Sequence, residues 1–219
     1  MTEFRHRDPA LPAFWDERFD ADFTPWDAGG PPPGLLRFVQ RASGPARGAE
    51  PSGVALAPGA TVLIPGCGSG WEVGALDDAG FKVLAIDFAA AAVARASARL
   101  GPRSERLLRQ ADFFEFAPAA VDWIYERTFL PALPPSLWPA WAGRVAGLLG
   151  PGALLAGFFL IDPAVDAATR RGPPFSIRRD ELDALLLPHF DCIEQEPIPA
   201  DESVAVLAGR EYWLTWRCR

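Results

Sequence analysis

The sequence has few of the residues that build disulfide frameworks and metal clusters. It contains three cysteines and two histidines, and no two cysteines form a C-x-x-C pair. This odd, scattered set argues against a disulfide framework and a zinc cluster and is typical of a reducing compartment. We therefore expect no metal site, and we interpret Cys67 as a small side chain that fits a turn.

Positive charge is also scarce. The 21 lysines and arginines face 28 aspartates and glutamates, which gives a net charge of −7, and Lys82 is the one lysine. Such a field repels nucleic acid and anionic membranes. The N-terminus shows no apolar leader region, and no apolar run reaches the ~18 residues of a membrane span. We expect a cytoplasmic monomer that binds neither nucleic acid nor membrane.

A chain of 219 residues is predicted to form one domain. It divides into an N-terminal helical and aromatic part at 1–41, a loop rich in glycine, proline and serine at 42–59, and an α/β core at 60–219. Apolar runs and turn residues predict strands at 61–65, 82–86, 106–111, 121–125, 153–161, 190–197 and 211–217. Helices are predicted at 34–41, 88–100, 138–149 and 179–187, the third closed by Gly150-Pro151-Gly152.

The most informative stretch is the glycine-rich turn that follows the first predicted strand. Gly66, Gly68 and Gly70 come directly after an apolar run and before a helical pattern. Glycine allows backbone conformations that a Cβ forbids, and it lets the chain approach a ligand closely. The second apolar run ends in Asp87, 21 residues after Gly66. An acid about 20 residues beyond the first glycine is typical of a site that binds a ribose, so we predict a nucleoside cofactor.

Position 71 distinguishes between the possible nucleoside cofactors. A dinucleotide site needs a third small residue there for helix–strand packing, and this chain has Trp71. S-adenosylmethionine (SAM) has no phosphate to place on a helix N-terminus. The glycine pattern therefore fits SAM better than NAD.

Three acids, Asp87, Asp112 and Glu126, each follow an apolar run. In a parallel sheet these strand ends share the edge where open α/β sheets bind ligands. Asp112 is suited to accept a hydrogen bond from the adenine amino group, and an aromatic neighbour such as Phe113 to cover the ring. Phe88, which follows Asp87, is assigned to the same cofactor site.

Four segments of the chain carry a family resemblance. They are FWDERF at 14–19 with TPWD at 24–27, IPGCGSG at 64–70, YERTFLPALPP at 125–135, and GPPFSI at 172–177. Together they resemble the thiopurine S-methyltransferase family of class I SAM-dependent methyltransferases, including its halide and thiol methyltransferase branch. The chain departs from the family pattern in Phe19, where the family has tryptophan, and in Gly66, where its thiopurine enzymes often carry leucine.

The resemblance implies a fold, an activity and further site residues. The fold would be Rossmann-like, with seven mostly parallel strands, an antiparallel last strand and helices on both faces. Trp15, Phe19 and Trp26 would form a lid over the cofactor; on spacing alone, a hydrophobic staple of the N-terminal helix is an equal alternative. The segment at 172–175 is either a wall of the acceptor pocket or a rigid surface loop.

We therefore predict an enzyme that transfers the methyl group of SAM to a small, soft nucleophile: a thiol, thiopurine, sulfide, halide or metalloid. Arg127 and Glu126 are the candidate catalytic residues, and the alternative for Arg127 is an ordinary salt bridge. The candidate cofactor-binding residues are Trp15, Phe19, Trp26, Gly66, Gly68, Gly70, Asp87, Phe88, Asp112, Phe113 and Glu126.

Three other functions stay open at this point. An NAD(P)-dependent oxidoreductase is disfavoured by Trp71 and by the missing second nucleotide-binding half. An O- or N-methyltransferase usually needs a general base, and Glu126 could supply it. A non-catalytic SAM-binding protein is disfavoured by the acids at the strand ends.

Overall fold

The computed structural model describes residues 4–43 and 54–219. Most of the loop predicted at 42–59 lies outside the described residues. The helices are α1 (Pro12–Asp20), α2 (Pro33–Ser43), α3 (Trp71–Asp78), α4 (Ala90–Leu100), α5 (Ser104–Leu107), α6 (Trp138–Leu148) and α7 (Arg179–Leu186). The strands are β1 (Thr61–Pro65), β2 (Lys82–Asp87), β3 (Leu108–Gln110), β4 (Val121–Arg127), β5 (Leu149–Leu160), β6 (Phe190–Pro197) and β7 (Glu211–Cys218).

The strands form one sheet in the order β3-β2-β1-β4-β5-β7-β6. Pairing is parallel from β3 through β5, whereas β7 runs antiparallel to both β5 and β6. This is the mostly parallel seven-stranded sheet with an antiparallel last strand that the resemblance predicts, and the fold prediction is confirmed.

Both faces of the sheet are covered because alternate strand residues point to opposite faces. In β1, Val62 and Ile64 join a core cluster that includes side chains of α2, α3 and α4. Leu63, between them, joins a second cluster that includes side chains of α6 and α7. Two apolar layers therefore hold the sheet rigid beneath its carboxyl edge. No helix in the described part of the chain is long and apolar enough to cross a membrane.

Several element boundaries differ from the sequence expectation. The strand predicted at 106–111 is shortened to β3, because Arg106 and Leu107 belong to the short helix α5. The predicted end of β4 at Tyr125 is wrong, because Glu126 and Arg127 continue the strand and pair with Gly157 and Phe158. The predicted turn after α6 is also absent: β5 begins at Leu149, directly after the helix, and includes Gly150-Pro151-Gly152. Leu149 pairs with Val121 of β4, so sheet pairing overrides the local turn chemistry there.

Candidate active site

A cavity of about 890 Å³ lies at the carboxyl edge of the sheet. Gly66, Asp87 and Thr128, which belong to or follow β1, β2 and β4, line one side of it. Residues 4–26 close the other side, and we call residues 4–28 the N-terminal segment. Small-molecule sites have volumes of ~300–1,000 Å³, so this cavity lies at the upper end of that range.

The glycine turn lines the cavity through Gly66 and Gly68. Both have positive φ, at 60° and 52°, where a side chain is strained. A Cβ on Gly66 would lie 2.6 Å from a ring carbon of Phe129, so the close packing of Phe129 also requires glycine. A leucine at position 66 would not fit this arrangement.

Asp87 is a buried acid at this edge whose carboxylate accepts two backbone N–H groups. It is 7% exposed and lines the cavity. The backbone N–H of Gly68 donates to Oδ2 and that of Ala89 to Oδ1, each at 3.0 Å. Burial raises the pKa of Asp87 to about 6, against the lowering effect of these N–H groups. The carboxylate is therefore ionised at neutral pH, and each oxygen keeps a lone pair for a further donor.

Asp112 and Phe113 lie at the end of β3 and also line the cavity. Asp112 is exposed, and its Oδ1 accepts the backbone N–H of Phe114 at 2.8 Å. Phe113 is 3% exposed and packs edge-on against Phe129, with ring centroids 5.1 Å apart. Phe88 lines the cavity next to Asp87. A carboxylate beside aromatic surface suits a planar, hydrogen-bonding base.

The predicted lid residues lie together in the N-terminal segment. Trp15, Phe19 and Trp26 all line the cavity. Trp26 packs edge-on against Trp15 and Phe19, with centroid distances of 5.5 Å and 6.0 Å. A Cβ on Gly68 would be 3.6 Å from Phe19, so this ring lies directly over the glycine turn.

Two polar contacts fix α1 on α4. Oδ1 of Asp16 accepts the backbone N–H of Ala91 at 2.9 Å, in the first turn of α4, where an unpaired N–H needs a partner. Arg95 donates to the carbonyl of Phe19 at 2.6 Å. The indole N–H of Trp15 donates to the carbonyl of Pro9, so α1 also orders the chain before it.

Three predicted site residues do not line the cavity. Gly70 packs α3 against α4, because a Cβ there would lie 3.0 Å from the Cβ of Ala96. The side chain of Arg127 is 8% exposed and forms an ion pair with Glu72 at 3.0 Å, the alternative that the sequence left open.

Glu126 is fully buried behind the cavity wall. Its Oε1 accepts the backbone N–H groups of Phe129 and Leu130 at 3.0 Å and 2.9 Å. Burial raises the pKa of Glu126 to about 8, so the carboxyl is largely protonated at neutral pH. It holds the turn that places Phe129 against Gly66.

Several cavity residues were not predicted from the sequence. Arg7 and Arg18 are the basic side chains that line it, and Phe129, Leu133, Leu137, Val206 and Leu207 supply apolar surface. Arg18 and Phe129 lie within the segments at 14–19 and 125–135 that carry the family resemblance. The resemblance was therefore the feature of the sequence that could have identified them as site residues. Nothing in the sequence near Val206 and Leu207 indicates a site.

The segment at 172–174 lines the cavity, which favours the pocket wall over a mere surface loop. The backbone N–H of Phe175 donates to the carbonyl of Pro131 at 2.7 Å, so this segment is fastened to another residue of the cavity lining. In the described ranges, no group of three or more histidine, cysteine or acidic side chains is placed to hold a metal ion.

These residues fit a nucleoside cofactor. Asp87 offers acceptors for ribose hydroxyls, the glycine turn leaves space where a Cβ would intrude, and aromatic rings flank both. Trp71, at the third position of a dinucleotide pattern, instead donates its indole N–H to Asp27 at 2.8 Å. The cavity therefore suits SAM better than a dinucleotide.

Comparisons with known proteins agree with this geometry. The family model described as thiopurine S-methyltransferase (TPMT) matches residues 10–217. Probable thiol methyltransferase 2 from Arabidopsis thaliana is 31% identical over 179 residues, covering 80% of this chain and 71% of the relative. Thiocyanate methyltransferase 1 from the same plant is 28% identical over 209 residues, covering 93% and 83%.

The fold also matches solved structures. N-methyltransferase NodS from Bradyrhizobium japonicum WM9, in complex with S-adenosyl-L-homocysteine (SAH), superposes with a TM-score of 0.58 at 19% identity. The match covers 84% of each chain. At this identity the likeness concerns the fold, which is the α/β sheet described above.

Proposed function

Since the chain belongs to the thiopurine S-methyltransferase family, we propose that it methylates a small, soft nucleophile that reaches the cavity as an anion, with an organic thiolate as the first candidate. It is a SAM-dependent methyltransferase, and SAM is its methyl donor. One observation carries the proposal. Asp87, the acid placed to bind the cofactor ribose, and Arg18, on the N-terminal segment, line the same cavity.

The residues at the sheet edge bind the cofactor in this proposal. Asp87 accepts from the ribose hydroxyls, because its oxygens keep free lone pairs beside their backbone donors. Asp112 accepts from the adenine amino group, and Phe88 and Phe113 cover the ring. Gly66 and Gly68 leave room for the amino-acid part. When bound, SAM supplies a methyl group on a sulfonium for in-line displacement.

The aromatic residues of the N-terminal segment exclude water and orient the reactants. Trp15, Phe19 and Trp26 present ring faces and edges to the cofactor end of the cavity. Aromatic faces attract a cationic sulfonium, and a closed cavity strengthens that attraction. Displacement needs donor and acceptor aligned at ~3–3.5 Å, so holding both in one cavity is the main catalytic contribution.

We assign the acceptor to the part of the cavity lining that is apolar, together with the basic side chain of Arg18. Leu133, Leu137, Val206 and Leu207 suit an apolar thiol body. The guanidinium of Arg18 lies 3.2 Å from the ring centroid of Phe14 and 4.4 Å from that of Phe4, and it donates to the carbonyl of Phe14 at 2.6 Å. A thiol has a pKa of about 8.5, and a nearby cation lowers it and favours the thiolate.

Arg18 therefore replaces Arg127 as the proposed charge partner of the acceptor, because Arg127 is paired with Glu72 away from the cavity. An O- or N-acceptor usually requires a general base. Glu126, the residue predicted for that role, is buried and does not line the cavity, and this favours the soft nucleophile.

The test measures SAM consumption across aromatic and aliphatic thiols, thiocyanate, iodide, thiopurines and metalloid oxyanions, with matched alcohols and amines as controls. We expect turnover with at least one thiol and none with its matched alcohol. Arg18→Gln should raise the KM for that thiol about tenfold or more, as expected for loss of a charge partner. Arg109→Gln, which removes an exposed charge outside the cavity lining, is the matched control. Turnover only with alcohols or amines would contradict the proposal.

A further inference from the structure

We propose that Asp27 is a positioning residue that holds Trp26 over the cofactor end of the cavity. Its carboxylate joins the N-terminal segment to the glycine turn and to the first residue of α3. This inference rests on the proposed function, because it assumes that the aromatic side chains of the N-terminal segment cover bound SAM.

Both oxygens of the Asp27 carboxylate are engaged across the chain. The hydroxyl of Ser69 donates to Oδ2, and the indole N–H of Trp71 donates to Oδ1 at 2.8 Å. The backbone N–H of Gly29 also donates to Oδ1 at 2.8 Å. Hydrogen bonds to an ionised acceptor are the strong ones, so this carboxylate is a firm link between segments more than 40 residues apart.

The partners of Asp27 belong to a preformed frame. The guanidinium of Arg99 lies 3.2 Å from the ring centroid of Trp71, and its Nε donates to the carbonyl of Ser69 at 2.8 Å. Gly70, between the two donors, packs directly on Ala96. Ser69 and Trp71 are therefore fixed by α4 independently of the N-terminal segment.

The position of Trp26 depends on the Asp27 hydrogen bonds more than the positions of Ser69 and Trp71 do. Its ring packs in a small cluster with Trp15, Phe19, Ala89 and Ala92, which is separate from the two main core clusters. After Asp27 the chain passes through Gly29 and Gly30, where a Cβ would meet nothing within 4 Å. Asp22 forms an ion pair with Arg95 of α4 at 2.9 Å, and beyond it, within residues 23–28, the hydrogen bonds to the core come from Asp27, the residue next to Trp26.

The test compares Asp27→Ala with Asp27→Asn and with Asp20→Ala. Asparagine can still accept from Trp71, and the hydroxyl of Ser69 can turn to accept from its amide. Asp20 is an exposed acid of the same segment, which makes it the matched control. The readouts are SAH affinity by calorimetry, hydrogen exchange of residues 21–28 with and without SAH, and the melting temperature without ligand.

We expect Asp27→Ala to weaken SAH binding about tenfold, as for the loss of a hydrogen bond to a charged group. Exchange at residues 21–28 should rise in the SAH complex, while the ligand-free melting temperature changes little. Asp27→Asn and Asp20→Ala should bind SAH within about threefold of the wild type. Trp71→Phe removes the indole N–H that donates to Asp27 and keeps an aromatic ring under Arg99, so it should give a smaller loss of SAH affinity. This variant replaces Asp27→Ala as the test if the alanine variant does not fold.

Two results would overturn the inference. Unchanged SAH affinity in both Asp27→Ala and Trp71→Phe would show that the link does not act on the cofactor. A lower ligand-free melting temperature with unchanged affinity of the folded protein would make Asp27 a purely structural residue. If the wild type itself fails to bind SAH, the proposed function is wrong. If the wild type binds SAH and the variants bind it equally well, only the inference about Asp27 is wrong.

Discussion

Replacing Glu126 with glutamine separates a structural role from a catalytic one. The side chain is 0% exposed, and its Oε1 accepts the backbone N–H groups of Phe129 and Leu130. Glutamine has the same shape and keeps that acceptor oxygen. The variant should therefore preserve the turn at Phe129 and its packing against Gly66, and remove only the titration of the carboxyl.

The size of the effect follows from the shifted pKa. Burial raises the pKa of Glu126 from 4.5 to about 8. Between these values the folded state keeps a proton that the unfolded state releases, so this group makes the wild type less stable as pH rises through that window. The change is at most about 4–5 kcal/mol at 1.36 kcal/mol per pKa unit. Glutamine does not titrate, so Glu126→Gln gains stability relative to the wild type from pH 5 to pH 8.

Urea unfolding at pH 5, 6.5 and 8 measures this difference. Glu105→Gln, at an exposed acid, is the control and should show no such trend. Loss of a general base costs ~10²–10⁴ in rate, whereas a buried turn-holding residue should leave kcat within about threefold. A hundredfold loss of kcat at unchanged stability would refute the structural role, and a pH-independent stability difference would refute the burial argument.

Two further substitutions test the cofactor end and the ion pair beneath it. Asp87→Ala should weaken SAH binding by ~1.5–3 kcal/mol, because the ribose hydroxyls lose a charged acceptor; unchanged affinity by calorimetry would contradict the assignment. Glu72 is nearly buried, and Arg127→Met removes its charge partner. This variant should lose ~3–5 kcal/mol of unfolding free energy, measured by urea unfolding. The double variant Glu72→Gln/Arg127→Met should recover most of that loss, and a fall in kcat without any loss of stability would instead place Arg127 at the acceptor.

The cofactor end could be predicted from the sequence because its chemistry is local. Gly66, Gly68 and Asp87 lie in or beside two short turns, and the carboxyl ends of parallel strands share one edge of the sheet. The acids at 87 and 112 therefore had to lie at one edge once the strands were recognised, and both line the cavity. Their roles in binding remain predictions.

The same local reasoning could not place Glu126, Arg127 and Gly70. The apolar run of β4 ends at Tyr125, whereas sheet pairing continues for two more residues, and only that pairing decides where their side chains lie. Gly70 follows the glycine pattern but meets α4, a helix 20 residues later in the chain. In each case a contact distant in sequence determined the outcome.

The walls of the proposed acceptor end explain why the substrate is harder to predict from the sequence than the cofactor. Its walls come from four separate parts of the chain: the N-terminal segment, residues 128–137, the segment at 172–174, and Val206 with Leu207. All of these are connections or terminal elements, which vary among related proteins more than the strands they join. Relatives that share the strand-end acids can therefore differ at every wall of the acceptor pocket. In our proposal the choice of acceptor follows from Arg18 and the apolar side chains of these walls, and the Arg18 variant, measured on paired thiols and alcohols, tests it.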